Sequence, residues 1–315
     1  MKLLVLRLLL TGMNLASYFG RVGYLARQLG DQLAYFLLRH INYRWLLILP
    51  HISRQLGMSG HALKMRAKVA AANKQCLLPN SASLNYIWLT QRREWLVRAA
   101  TYGRNVQILK EIAECTAQLN AVVEPLHRAG QPVILAPLHT VSDILATMIG
   151  AGVYPNKATV VASFGNHVHS AEELQQGGVN LDYCSIHDQS DVVAGNLLSS
   201  LMSAARGERN IILFPDITPE FTLGAYQGQT SKLTCQLFQR PAALHNGIIR
   251  LSRAISARVV FYSLYYDRGV KINIHSPLQA AQLKQQMPAI IENTIREHAN
   301  DWMLWHAHSL YFINE

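Results

Sequence analysis

The chain has 315 residues, half of them apolar, only 15% charged, and a formal net charge of +10. This composition supplies ample material for a buried core, and the low charge content points to some apolar surface covered by lipid rather than water. The positive balance points to a polyanionic partner, either nucleic acid or an anionic membrane surface. Cys76, Cys115, Cys184 and Cys235 are widely spaced and contain no C-x-x-C pair. They exclude a disulfide scaffold and a cysteine-based metal centre, and they fit buried thiols in a reducing compartment.

Residues 1–60 are the most lipid-like part. Leu3 to Leu10 is apolar except for Arg7, and apolar clusters follow at Leu33 to Leu38 and Trp45 to Leu49. Lys2, Arg7, Arg21, Arg27, Arg39 and Arg44 are interspersed, against Asp31 alone. No run reaches the roughly 18 uninterrupted apolar residues of a confident spanning helix. Basic amphipathic helices lying in the headgroup region account for the pattern, with a buried core helix as the alternative and a true span left open. Nucleic acid is the weaker partner, because the cations are spread along the chain and no nucleic-acid-binding motif is present.

From 61 to 130 the apolar spacing predicts helices. Ala62, Leu63, Met65, Val69 and Ala72 share one face, and Leu78-Pro79-Asn80 breaks the segment. Ser81 or Ser83 is expected to cap the next helix, with 87–97 and 108–126 continuing the pattern. Gly130-Gln131-Pro132 then marks a change of regime. Strands are expected at 133–137, 159–163, 181–186, 211–214, 259–264 and 270–274, with helices at 141–149, 192–205, 243–256 and 281–299. Such alternation predicts an α/β fold, a largely parallel mixed sheet flanked by helices, spanning 131–315.

The chemistry concentrates after the first strand. His139 follows Leu135-Ala136-Pro137-Leu138, and Asp143 comes four residues later. Reactive groups of open α/β sheets gather at strand carboxyl ends. If a helix starts near His139, one turn places the histidine and the acid on a single face. The carboxylate would then hold one imidazole nitrogen while the other takes a proton from a hydroxyl. The same spacing recurs at His187 with Asp191 and at His169 with Glu173, and His167 with Glu172 is one residue wider. Position after a buried strand favours His139. A second element, Asn210-Ile211-Ile212-Leu213-Phe214-Pro215-Asp216, runs from an apolar strand into an acidic loop. That loop either lines an acceptor site, with Asp216 accepting hydroxyl hydrogen bonds, or is an ordinary strand-end turn.

Together these elements resemble the lysophospholipid acyltransferase superfamily, and within it the lipid A late (lauroyl/myristoyl) acyltransferases. That superfamily places a histidine and an acid after a strand, then a Phe-Pro-Glu/Asp loop, as His139 with Asp143 and Phe214-Pro215-Asp216 do here. Met65-Arg66-Ala67 through Asn73 to Leu78-Pro79 is similar to a further stretch of the lipid A branch. Asn246-Gly247 with Leu251 and Arg253 resembles its Asn-Gly helix, and Trp302 to His308 its Trp/His-rich end. The resemblance covers about 60–315. It implies an acyltransferase at the cytoplasmic face of a bacterial inner membrane. An acyl chain would pass from acyl carrier protein or acyl-CoA to a hydroxyl of a glycolipid or sugar, without metal or redox cofactor. His139 would be the general base oriented by Asp143, with Phe214, Asp216, Asn246 and Arg253 binding substrate. The family spaces histidine and acid by four intervening residues, whereas here three intervene and Ile144 stands at the usual acid position. No arginine occurs between Arg128 and Arg206, and Lys157 is the only Lys or Arg there, so an acceptor other than phosphorylated lipid A is expected. The His-x3-Asp spacing is also similar to that of the condensation and chloramphenicol acetyltransferase superfamily, but that pattern's preceding histidine and following glycine are Leu138 and Ile144 here. The alternative of a different class is a non-catalytic, membrane-associated lipid-binding protein that keeps this fold.

Overall fold

A computed structural model describes residues 60–162, 181–185, 191–217 and 232–307, together with parts of 24–52. The elements with described limits begin with a short helix α1 (Tyr43–Leu46) and three longer ones, α2 (His61–Leu77), α3 (Tyr86–Ala100) and α4 (Val106–Arg128). The core follows as β1 (Val133–Pro137), α5 (Asp143–Ala151), β2 (Ala158–Ala162), β3 (Leu181–Ser185), α6 (Asp191–Ala205) and β4 (Asn210–Ile212). It closes with β5 (Lys232–Leu237), β6 (Arg240–His245), α7 (Gly247–Ala254), β7 (Arg258–Tyr266), β8 (Val270–Ile274) and α8 (Ala280–Glu297). A single 3₁₀ turn, Leu304–His306, ends the described chain.

Six strands form one sheet in the order β3-β2-β4-β1-β7-β8. All neighbours are parallel except β7 and β8, which form an antiparallel edge. Every residue of β1 is buried, as an unbroken apolar run in a doubly covered parallel sheet must be. Alternate side chains feed two cores. Val133 and Leu135 join Ile212, Val260 and Tyr262 under α4 and α5. Ile134 and Ala136 join Ile211, Val259 and Phe261 under α7, α8 and the tryptophans Trp302 and Trp305. This expected architecture is present, and strand limits agree with the sequence pattern to within a few residues.

Four local expectations fail. The apolar face expected on α2 is not the buried one: Ala62, Met65 and Ala72 are exposed, and Ala70, Lys74 and Leu77 are buried instead. Cys76 is exposed and Cys235 only partly buried, whereas Cys115 and Cys184 are buried as expected. Asn85, rather than Ser81 or Ser83, caps α3: its side chain accepts from the backbone N–H of Trp88. The helix expected at 243–256 begins only at Gly247, because residues up to His245 belong to a β5–β6 hairpin. Phe238 and Gln239 turn that hairpin with φ of 53° and 63°. Both angles are positive, the signature of the primed turn that fits twisted strands, but neither residue is the Gly or Asn that would betray it.

Within the first sixty residues, side chains between Tyr35 and Leu47 pack onto the α/β core. Leu38, Tyr43 and Leu47 are buried in the core beneath α4. The Tyr43 hydroxyl donates to Glu111 Oε2 at 2.6 Å, and Arg44 Nη2 to Glu111 Oε1 at 2.7 Å. Asn105 Nδ2 donates to the carbonyls of Leu38 and Ile41. The opposite side exposes Leu33, Phe36, Trp45 and Ile48. Among the described residues no helix is long and apolar enough to cross a membrane.

Candidate functional site

β1 and β4 are adjacent and parallel, so both deliver their following loops to the same edge of the sheet. β1 leads to α5 on one face and then to β2, whereas β4 leads by way of the hairpin to α7 on the other face and then to β7. Connections that part in this way open a crevice at the strand carboxyl ends. His139 comes from the first loop and Asp216 from the second.

The two side chains meet. His139 Nδ1 lies 2.7 Å from Asp216 Oδ1, and the His139 backbone N–H donates to Oδ2 at 2.9 Å. Trp302 Nε1 also donates to Oδ2, at 3.0 Å. Asp216 is fully buried and the His139 side chain is about 11% exposed. A carboxylate only accepts, so Nδ1 carries the proton and Nε2 is the basic nitrogen. Among the described residues nothing hydrogen-bonds to Nε2. The Phe214 ring packs against the imidazole, centroid to centroid 4.5 Å.

Asp143, expected to orient the imidazole, is engaged elsewhere. Nε and Nη2 of Arg93, on α3, both donate to its Oδ1, at 2.9 and 2.6 Å. The physical reason lies in where α5 starts. Ser142 accepts from the Leu145 N–H as N-cap, so the helix begins at Asp143 and His139 stays outside it. Val141 lies between them with φ of 58°, a left-handed backbone that is rare for a β-branched side chain. The loop therefore turns before the helix, and the two side chains share no helical face.

The charges around the imidazole have a clear balance. Burial opposes its protonation most strongly, but the Asp216 charge and hydrogen bond, aided by Asp143, outweigh burial and the nearby Arg93. The net effect raises the His139 pKa above its ordinary value. For Asp143, burial favours the neutral acid, yet Arg93 and then His139 prevail and hold its pKa low. Asp143 is thus an electrostatic neighbour of the imidazole rather than its hydrogen-bond partner.

The other expected site residues are dispersed. Asn246 precedes α7 and makes no side-chain cap. Arg253, in the last turn of α7, lines a cleft of about 550 Å³ with Gln131, Pro132 and Arg258. Those residues sit where β1 begins, roughly one strand length (about 13 Å) from its carboxyl end. Arg253 therefore lies at the opposite sheet edge from His139. The rival residues His167, His169, Glu172, Glu173 and His187 lie outside the described residues. Arg93 escaped the sequence pattern, since the count of cations between Arg128 and Arg206 could not include it, and Trp302 was singled out only as part of a Trp/His-rich end, with no place at the site. Among the described residues no cluster of His, Cys, Asp and Glu could hold a metal ion.

No protein-family model matches this chain, and no curated protein matches its sequence.

Proposed function

We propose that this protein is an acyltransferase that moves a fatty acyl chain from a thioester to a hydroxyl of a membrane glycolipid or sugar, with His139 as general base. The observation that carries this reading is the His139–Asp216 pair. It fixes the imidazole by Nδ1, at a strand carboxyl edge, with Nε2 turned to no other group among the described residues. The acid's place in the dyad, assigned to Asp143 on sequence spacing, passes in this proposal to Asp216.

The reaction follows from that geometry. Nε2 accepts the proton of the acceptor hydroxyl as its oxygen bonds to the thioester carbonyl carbon. Asp216 stabilises the imidazolium that forms. The tetrahedral adduct expels the thiolate, which takes the proton from Nε2. An ester and a free thiol leave, and the imidazole returns to its starting state. Acyl carrier protein or acyl-CoA would supply the thioester, and no metal or redox group is required by this sequence of steps.

A lipid acceptor fits the outward Leu33, Phe36, Trp45 and Ile48 and the +10 net charge, which favour the anionic surface of an inner membrane, at its cytoplasmic face. The test supplies radiolabelled acyl carrier protein to detergent-purified protein with its membrane lipids. Label should reach extractable glycolipid with wild type and fall by about 10²- to 10⁴-fold with His139→Ala. Equal transfer by a folded His139→Ala protein would overturn His139 as the base, and no transfer by wild type would overturn the reading in favour of a binding protein.

A further inference from the structure

The described chain ends in a segment that has no catalytic side chain of its own yet touches the site at three points. Trp302 Nε1 donates to Asp216 Oδ2 at 3.0 Å. Two backbone hydrogen bonds pair Thr140 with Trp302 as an isolated antiparallel bridge. The Val141 N–H donates to the Asp301 carbonyl at 2.9 Å, and the Met303 N–H donates to the His139 carbonyl at 2.8 Å. Residues 301–303 thus lie as a strap along the loop that carries His139.

The strap is itself anchored from the helical lead-in. Arg92 of α3 forms a buried ion pair with Asp301 and stacks over the Tyr266 ring at 5.0 Å. The second Asp301 oxygen accepts the Tyr266 N–H at 3.1 Å. Lys74 of α2, itself buried, donates to Asn300 Oδ1 at 2.8 Å, and Asn73 Nδ2 donates to the Trp305 carbonyl at 2.8 Å. Two tryptophans close the arrangement edge to face at 4.8 Å. Such multiple support is what a left-handed valine requires, because an unsupported one would relax.

We propose that the C-terminal strap is the positioning device of the site, and that Trp302 is a positioning residue whose indole N–H locks the Asp216 carboxylate so that Oδ1 faces Nδ1 of His139. Asp216 Oδ2 is shared between the indole and the His139 backbone N–H, so both of its donors set the plane of the carboxylate. With that plane fixed, the imidazole has one orientation and one tautomer. The charged groups that face the imidazole are Asp216, Asp143 and Arg93, and Trp302 acts through the first of them. The role in catalysis rests on the reading of His139 as base, whereas the positioning itself can be read without any turnover.

Trp305 supplies the matched control. It belongs to the same aromatic pair, but its indole N–H goes to the Ala299 carbonyl at 2.7 Å and not to Asp216. Full-length, ¹⁵N-histidine-labelled protein in detergent is titrated by NMR, with the His139 signals assigned by comparison with His139→Gln. Wild type should show the proton on Nδ1 in the neutral ring. Trp302→Phe removes a positive dipole from Asp216, so the His139 pKa should rise by about half a pH unit and the tautomers should mix. Acyl transfer should fall about tenfold. Trp305→Phe should leave the titration and tautomer of His139 at their wild-type values. An unshifted His139 in Trp302→Phe, or an equal shift in Trp305→Phe, would overturn the proposal. A shifted titration in Trp302→Phe alone, with transfer absent from every protein, would support the positioning while sinking the acyltransferase reading. Should Trp302→Phe not fold, β-(3-benzothienyl)alanine placed at 302 keeps the ring shape without the N–H and makes the same comparison.

Discussion

His139 Nδ1 lies 2.7 Å from Oδ1 of Asp216, a residue 77 positions further along the chain, while the acid four positions away is bound by an arginine. The two carboxylates therefore have separable effects. Asp216→Asn keeps the shape but removes the charge that stabilises the imidazolium, and acyl transfer should fall by about 10²- to 10⁴-fold. Asp143→Asn leaves the dyad bonded and should lower transfer by less than about tenfold. Single-turnover rates of the two variants, with circular dichroism to verify folding, make the comparison. A larger loss in Asp143→Asn would return the orienting role to it.

The pH dependence has a defined sign. A general base works when neutral, so transfer should rise with pH through a His139 pKa that is raised above 6.5. For stability the same shift acts in reverse. The raised pKa contributes stability that is fully present below the unfolded histidine value and is lost as pH climbs through the folded one. Arg93 lowers the His139 pKa and holds that of Asp143 down. Arg93→Gln should therefore move the limb of the kcat/KM profile to still higher pH. A limb that stays put or moves down in this variant contradicts the balance of charges described.

Gly150 has no room for a side chain. A Cβ there would stand 2.6 Å from the Tyr262 hydroxyl, 3.1 Å from Ile212 and 3.3 Å from Leu135. The hydroxyl has little freedom to retreat, since it donates to the Ala146 carbonyl at 2.8 Å in the buried layer between α5 and the sheet. Gly150→Ala should destabilise the fold by about 1–3 kcal/mol, although alanine is the better helix former. A Tm at or above wild type would show that α5 can shift without loss.

The outward apolar side chains of the N-terminal segment give a prediction about the membrane. Phe36 is 60% and Trp45 69% exposed, so replacing both with Glu removes no core packing. The double variant should keep the wild-type Tm and bind vesicles containing anionic lipid at least tenfold more weakly in a sedimentation assay. Unchanged partitioning would assign those side chains to some other contact.

Much of the frame was legible because periodicity reports burial directly. Val133 to Pro137 reads as a strand buried on both faces, and its five residues are buried. The stripe of α4 was legible in the same way, with Ile108, Ile112, Leu119 and Val123 buried, whereas that of α2 was not, because its buried face carries Lys74 beside Ala70 and Leu77. The β5–β6 hairpin was not legible, because Phe238 and Gln239 carry no turn signal and Ala243 and Leu244 run on into the apolar residues of α7. His139 stood out by its place after β1. Its partner did not, since the spacing to Asp143 fits a helix that starts earlier than the Ser142 cap permits.

By itself the sequence determined the alternation of strands and helices, the basic apolar character of the first sixty residues, and the histidine at a strand end. These depend on local composition and periodicity, which each segment carries alone. Only the tertiary structure decided which acid holds the imidazole, that Arg93 occupies the nearer one, and that Trp302 reaches the same carboxylate. Those contacts join residues from 50 to 86 positions apart. They exist because a parallel sheet sets β1 beside β4, and because Asp301 to Met303 pair with the loop after β1. No pattern within either segment encodes that adjacency.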